Sequence, residues 1–276
     1  MSLLDKPLKP LSPRHSHKRL YISLGIPAAV LALLLLFTNL STDAAFVVHF
    51  VSAPKHFAYN GHSNYISAVA WSPDGKRIAS ASNDGSVQIW QALTGKRLAI
   101  YSSSTDIRGK TVASNAVAFS PDGKDVVIGT SGPAVLIDAA TARAIGYLGP
   151  HGGSALSVAF SPRGRYLAVG RDDSTVEVWD VSTSTEVYVY MGHSAPVFTL
   201  AWSPDGKRIA SGGADCTVQI WDALTGNHVY TYGGHADYYW GHFTSDQDVD
   251  SIAWSPDGKQ IASGSTDNTV QVWMAM

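Results

Sequence analysis

The densest concentration of chemistry-bearing side chains in this 276-residue chain is the stretch ADYYWGHFTSDQDVD, residues 236–250. Its aromatics, Tyr238, Tyr239, Trp240 and Phe243, are of the types enriched at protein-interaction hot spots. Its carboxylates Asp248 and Asp250 are of the type that hydrolyses glycosidic bonds, a reaction that needs two such groups facing each other across the substrate. Ten histidines and many aspartates elsewhere raise metal binding or proton transfer, which need ligands or partners that converge on one point. The single cysteine, Cys216, excludes an internal disulfide and any multi-cysteine metal site. It reads as a small residue in a buried turn.

Whether any of these groups converge depends on the elements that carry them, and those elements repeat. WSPDGKRIAS occupies residues 71–80 and again 202–211, and WSPDGKQIAS occupies 254–263. Within it, proline presets the first turn position, aspartate suits the second and glycine accepts the left-handed conformation that follows, so SPDG is a β-hairpin turn. Short apolar runs flank it, a second turn (SNDGS, GADCT, STDNT) leads into VQIW or VQVW, and ALTGK or ALTGN leads to RLAIY or HVYTY. Four short strands per unit result. The aromatic before Ser-Pro recurs at Trp71, Phe119, Phe160, Trp202 and Trp254, spaced by 48, 41, 42 and 52 residues, the period of four-stranded units in series. The first four inner strands carry no acidic residue, and Asp248 and Asp250 both fall in the fifth. A facing carboxylate pair is therefore not evident, and the chain reads as noncatalytic.

Residues 20–37, LYISLGIPAAVLALLLLF, carry no charge and as a helix would span about 27 Å, close to the roughly 30 Å of a bilayer's hydrocarbon core. Lys6, Lys9, Arg14, Lys18 and Arg19 precede it, a bias that retains the basic end in the cytoplasm. The expected organisation is a basic cytoplasmic tail over residues 1–19, a transmembrane helix over 20–40, a linker over 41–52 and a repeat domain over 53–276 held outside the cytoplasm at the cell membrane. A secretory signal cut near Thr42-Asp43-Ala44 is the alternative. Residues beyond 19 are mildly acidic in sum, which argues against nucleic acid as a partner.

The starts at Gly61-His62, Gly192-His193 and Gly234-His235 and the ends at Trp179-Asp180 and Trp221-Asp222 resemble the WD-repeat (β-transducin-like) family, and the whole is similar to bacterial membrane-anchored members. The resemblance implies an all-β fold, a β-propeller of about five four-stranded blades with units near 61–108, 109–150, 151–191, 192–233 and 234–276. It also implies a hydrogen-bonded histidine–hydroxyl–aspartate–tryptophan chain inside each blade. Carried onto this sequence, the chain is His62, Ser80, Asp84 and Trp90 in the first unit, His193, Ser211, Asp215 and Trp221 in the fourth, and His235, Ser263, Asp267 and Trp273 in the fifth. His151, Asp173 and Trp179 fit in the third, where Val169 replaces the hydroxyl. In the second, Lys110, Ile128 and Ile137 stand at the polar positions, so packing alone should hold it.

With one histidine per blade, each with its own partners, the histidines are structural, and neither a metal nor a cofactor is expected. The last unit stops after its third strand, and KHFAY, residues 55–59, precedes the first Gly-His as HVYTY precedes another. An N-terminal strand is thus expected to complete the fifth blade, and with only five blades the ring is small, open, or completed by another copy in a homo-oligomer. The functional expectation is a noncatalytic scaffold for a protein partner, docked through Tyr238, Tyr239, Trp240 and Phe243 unless those aromatics fold back onto the blades. A propeller hydrolase or a carbohydrate-binding propeller is the alternative.

Overall fold

The computed structural model describes residues 58–103, 112–149, 153–235 and 247–275. The described residues all belong to one compact unit, His56–Met276. The expected transmembrane helix, the linker and the aromatic loop residues Tyr238, Tyr239, Trp240 and Phe243 lie outside the described residues, as do Lys110 and His151. Among the described residues no helix is long and apolar enough to cross a membrane.

Among the described residues nineteen strands run in chain order through five antiparallel sheets. Sheet 1 holds β1 (Ile66–Trp71), β2 (Arg77–Ser82), β3 (Ser86–Gln91) and β4 (Arg97–Ser102), and sheet 2 holds β5 (Ser114–Phe119), β6 (Asp125–Thr130), β7 (Ala134–Asp138) and β8 (Ala144–Leu148). Sheet 3 holds β9 (Ala155–Phe160), β10 (Tyr166–Arg171), β11 (Val176–Asp180) and β12 (Thr185–Tyr190). Sheet 4 holds β13 (Val197–Trp202), β14 (Arg208–Gly213), β15 (Val218–Asp222) and β16 (His228–Tyr232), and sheet 5 holds β17 (Val249–Trp254), β18 (Gln260–Ser265) and β19 (Val270–Met274).

Local chemistry explains the uniformity. In each Ser-Pro-Asp-Gly turn the aspartate accepts from the serine hydroxyl and from the amide two residues on, as Asp205 does from Ser203 (2.6 Å) and Lys207 (3.1 Å). The glycine then takes a positive φ, 73° at Gly206, where any side chain would be strained. A β-bulge sits at the start of the first strand in all five sheets, between Ile66 and Ala68 or the matching residues, and sharpens the twist at the same place in each. The second β-turn is less uniform: Gly85 gives way to Ser174, Cys216 and Asn268, all with positive φ. Cys216 is thus half-buried with φ 61°, not the buried turn residue expected.

The core is not inside any sheet but between successive sheets. Ala79, Val87 and Ile89 of sheet 1 pack on Val117, Phe119 and Val126 of sheet 2, and three further clusters join sheets 2 to 3, 3 to 4 and 4 to 5. Each sheet thus has a leading face toward its predecessor and a trailing face toward its successor. At fully buried positions each Val or Ile contributes about 1.5–3 kcal/mol, which favours stacking over isolated sheets.

Sheet 5 has three strands among the described residues, residues 55–57 of the strand expected to complete it lie outside them, and sheets 1 and 5 do not meet as successive sheets do. Trp71 at the end of β1 is 62% exposed, whereas its counterpart Trp202 is 8% exposed and donates its indole N–H to Ala159 O (2.9 Å). Among the described residues five sheets are joined at four interfaces, and no fifth interface joins sheet 5 to sheet 1.

Candidate functional site

In sheets 1, 4 and 5 the polar groups singled out in the sequence lie at one end of the sheet, where the Gly-His segment passes over the turn between the second and third strands. In sheet 4, His193 Nε2 is 2.7 Å from Ser211 Oγ and Nδ1 is 2.8 Å from Asp215 Oδ2. Trp221 Nε1 donates to Ser211 Oγ (3.1 Å). Since the carboxylate only accepts, Nδ1 of a neutral ring carries the proton, and the relay runs from indole to hydroxyl to imidazole to carboxylate. His193 and Trp221 are fully or almost fully buried, so each bond satisfies a group that would otherwise be costly. Sheet 5 repeats it with His235, Ser263 (2.8 Å), Asp267 (2.7 Å) and Trp273 (3.4 Å to Ser263).

Sheet 1 departs at its last link. His62 reaches Ser80 (2.7 Å) and Asp84 (3.1 Å), but Trp90 Nε1 is buried without a partner. The tryptophan is instead stacked flat on Tyr59, with ring centroids 5.3 Å apart.

In all three sheets the aspartate carboxyl is held below the usual carboxylate range. Burial opposes this, but at Asp84 the Ser86 hydroxyl, the amides of Ser63 and Ser86 and the His62 ring outweigh it. At Asp215 and Asp267 the histidine and the following threonine do the same. These aspartates are committed to the fold.

Sheet 3 is built on a different pair, which the sequence reading missed. Trp179 Nε1 donates not to a hydroxyl but to Glu177 Oε2 (2.9 Å), and Arg171 Nη2 donates to the same oxygen (2.9 Å). Arg171 Nε lies 2.6 Å from Glu177 Oε1, off the hydrogen-bond axis, and Nη1 donates to Gly153 O (2.9 Å). Their side chains are 0% and 1% exposed. Asp173 accepts instead from Thr175 Oγ1 (2.6 Å). The available signal was register: Glu177 stands where the other units have Gln88, Gln219 and Gln271, and Arg171 where they have Ser82, Gly213 and Ser265. In sheet 2, Ile128 and Ile137 are fully buried in the first inter-sheet cluster.

Chemistry beyond structure is sparse. Asp248 and Asp250 sit two residues apart at the start of sheet 5, and no acidic residue of another first strand faces them. Among the described residues, no three of His, Cys, Asp and Glu come together as a metal ion requires. A depression between sheets 4 and 5 is lined by Ser203, Pro204, Asp205, Arg208, Asp257 and Gly258. Asp205 and Asp257 there serve their own turns, and Arg208 lies over the Trp254 ring at 5.0 Å.

Five similar sheets, joined face to face and each read off one repeat, are the arrangement a repeat family should leave in a family comparison. The profile described as WD domain, G-beta repeat (WD40) matches residues 54–91, 143–180, 184–222 and 226–274. The chain belongs to the WD40-repeat family. The matched sheets are therefore WD40 blades, and the unmatched stretch 92–142 takes in β4 and the first three strands of sheet 2.

Among curated proteins, the WD40 region is similar to a probable cytosolic iron-sulfur protein assembly protein 1 of Mycosarcoma maydis, 34% identical over 137 residues, 47% of this chain and 27% of that protein. It is also similar to the small ribosomal subunit protein RACK1 of Drosophila melanogaster, 31% identical over 136 residues, covering 46% of this chain and 40% of that one. A third is the meiotic recombination protein rec14 of Schizosaccharomyces pombe, 32% identical over 117 residues, 42% and 37% of the two chains. The matched segments span less than half the length of each of these relatives, which are fungal and animal proteins, not bacterial ones.

Proposed function

We propose that this protein is a noncatalytic WD40 scaffold, tethered to the cell membrane by residues 20–40 with its blades outside the cytoplasm, that binds a protein partner. The observation that carries the scaffold reading is the commitment of the histidines, aspartates and Arg171–Glu177 pair to the blades themselves, which leaves recognition to loops. Family membership agrees, because WD40 blades present variable loops on a common frame. The aromatic insertion at 236–246 is the richest of these loops, and Tyr238, Tyr239, Trp240 and Phe243 are the residues assigned to contact the partner.

The test is capture from detergent-solubilised membranes with the full-length chain, beside a Tyr238→Ser, Tyr239→Ser, Trp240→Ser variant whose melting curve is unchanged. A protein retained by the first and lost by the second supports the reading, and equal retention moves the interface elsewhere. A C-terminal reporter enzyme active only outside the cytoplasm tests the topology, and activity inside would overturn it.

A further inference from the structure

We infer that copies of this chain associate head to tail, the leading face of sheet 1 in one copy seating on the trailing face of sheet 5 in the next. The four internal joints define what such an interface needs. On the leading side, the first residue of the first strand is fully buried: Ser114, Ala155, Val197 and Val249 are all 0% exposed. The matching residue of sheet 1, Ile66, is 48% exposed, and Val69 and Trp71 beside it are 65% and 62% exposed. On the trailing side, Val87 and Ile89, Val176 and Val178, and Val218 and Ile220 are likewise 0% exposed, whereas Val270 and Val272 of sheet 5 are 74% and 63% exposed. The two open faces are thus the two halves of a joint already made four times.

Their residues match as well as their positions. Sheet 1 repeats the WSPDGKRIAS of sheet 4 letter for letter, so Trp71 can donate to a neighbouring sheet as Trp202 and Trp254 do (2.9 and 3.0 Å). The acceptor on sheet 5 is the carbonyl of Ala253, which stands where Ala159 and Ala201 stand.

A second, independent observation comes from Tyr59. Tyr190 and Tyr232 end the fourth strands of sheets 3 and 4, stack on Trp221 and Trp273 of the following sheet with centroids 4.4 Å apart, and donate to Gln219 and Gln271. Tyr59 stacks on Trp90 and donates to Gln88 in the same way. It occupies the place where the fourth strand of a preceding sheet would end, and sheet 5 is the sheet whose fourth strand is missing among the described residues. The partner is a second copy because every chain carries both halves of the joint and exposes both. Such an interface is heterologous and generates a ring or a filament. It does not depend on where the chain resides or what it binds.

Disulfide trapping tests this. A Cβ on Gly212 would lie 3.1 Å from Val249 Cβ, near the roughly 3.8 Å of a disulfide, and the matching pair across the inferred joint is Gly264 and Ile66. Full-length chains lacking Cys216 (Cys216→Ser), one tagged copy with Ile66→Cys and another with Gly264→Cys, are co-expressed and oxidised mildly before extraction. The expected product carries both tags at twice the chain mass, exceeds the product of either variant alone by about tenfold, and is lost when Trp71→Asp is added. Trp71 is exposed within one copy, so that variant keeps its circular dichroism spectrum. With both cysteines in one chain, a disulfide found only at single-chain mass would overturn the inference in favour of ring closure. Absence of any disulfide would overturn it in favour of faces covered by something else.

Discussion

Replacing Glu177 by alanine removes one member of the most deeply buried ion pair among the described residues. Arg171 would keep Gly153 O and a long contact to Leu148 O (3.5 Å) but no counter-charge, at 0% side-chain exposure. Leaving such a charge unpaired costs about 3–5 kcal/mol, against a total stability of about 5–15 kcal/mol for a domain. At roughly 2–4 °C per kcal/mol for a domain of this size, Tm should fall by about 10 °C. Trp179 would lose its indole acceptor as well.

The control is the double variant Arg171→Ser, Glu177→Gln, which installs the Ser82–Gln88 combination of sheet 1 and the Ser265–Gln271 combination of sheet 5. A glutamine oxygen still accepts from Trp179, and no charge is buried, so this variant should recover most of the loss. Thermal and urea melts of wild type, Arg171→Ser, Glu177→Gln and the double complete the cycle, with Glu177→Ala melted beside them. A cost below about 1 kcal/mol for Glu177→Ala would refute the argument, given that an unpaired buried charge costs several times more. So would a double variant as damaged as the singles, because the loss would then not be one of pairing.

Ser211→Ala strands both His193 and Trp221, at about 1–3 kcal/mol for each unsatisfied group, whereas Ser80→Ala strands only His62, since Trp90 never uses that hydroxyl. Urea midpoints should therefore fall about twice as far for the first, and equal losses would contradict the assigned relay. Asp84, Asp215 and Asp267 have carboxyls held below the usual range, so the unfolded chain binds protons more readily and their stabilisation is present above the unfolded value near ~3.9. The urea midpoint should stay level from about pH 7 to pH 5 and fall as pH drops through the folded values below about 4, with a smaller fall in Asp215→Asn. A midpoint unchanged on acidification would count against this. Cys216→Gly places glycine at φ 61° and should raise stability by about 1 kcal/mol, and a lowered urea midpoint would contradict this.

Much of the architecture is legible in the letters because each blade is a local object. SPDG turns, alternating short strands and the Gly-His and Trp-Asp boundaries are written within single repeats, and they locate the described strands of sheets 1, 4 and 5. The histidine, serine and aspartate of sheets 1, 4 and 5 also come together as their register within one repeat requires. Sheet 3 escaped the reading because its solution is a substitution at two positions, Arg171 and Glu177, that seem unremarkable apart and become a pair only when β10 and β11 lie side by side. Trp90 escaped it because its link to Ser80 depends on atomic distance, which no repeat pattern encodes.

The sequence by itself determined the repeat, the strands and the composition of every face, since hydrophobic alternation and turn chemistry act over a few residues. Only the tertiary structure decided which faces meet. Trp71 and Trp202 sit in identical decapeptides, yet one is 62% exposed and the other 8%, because burial depends on whether a preceding sheet is there to receive the ring. That is a property of how four joints add up along the chain, and no single repeat contains it.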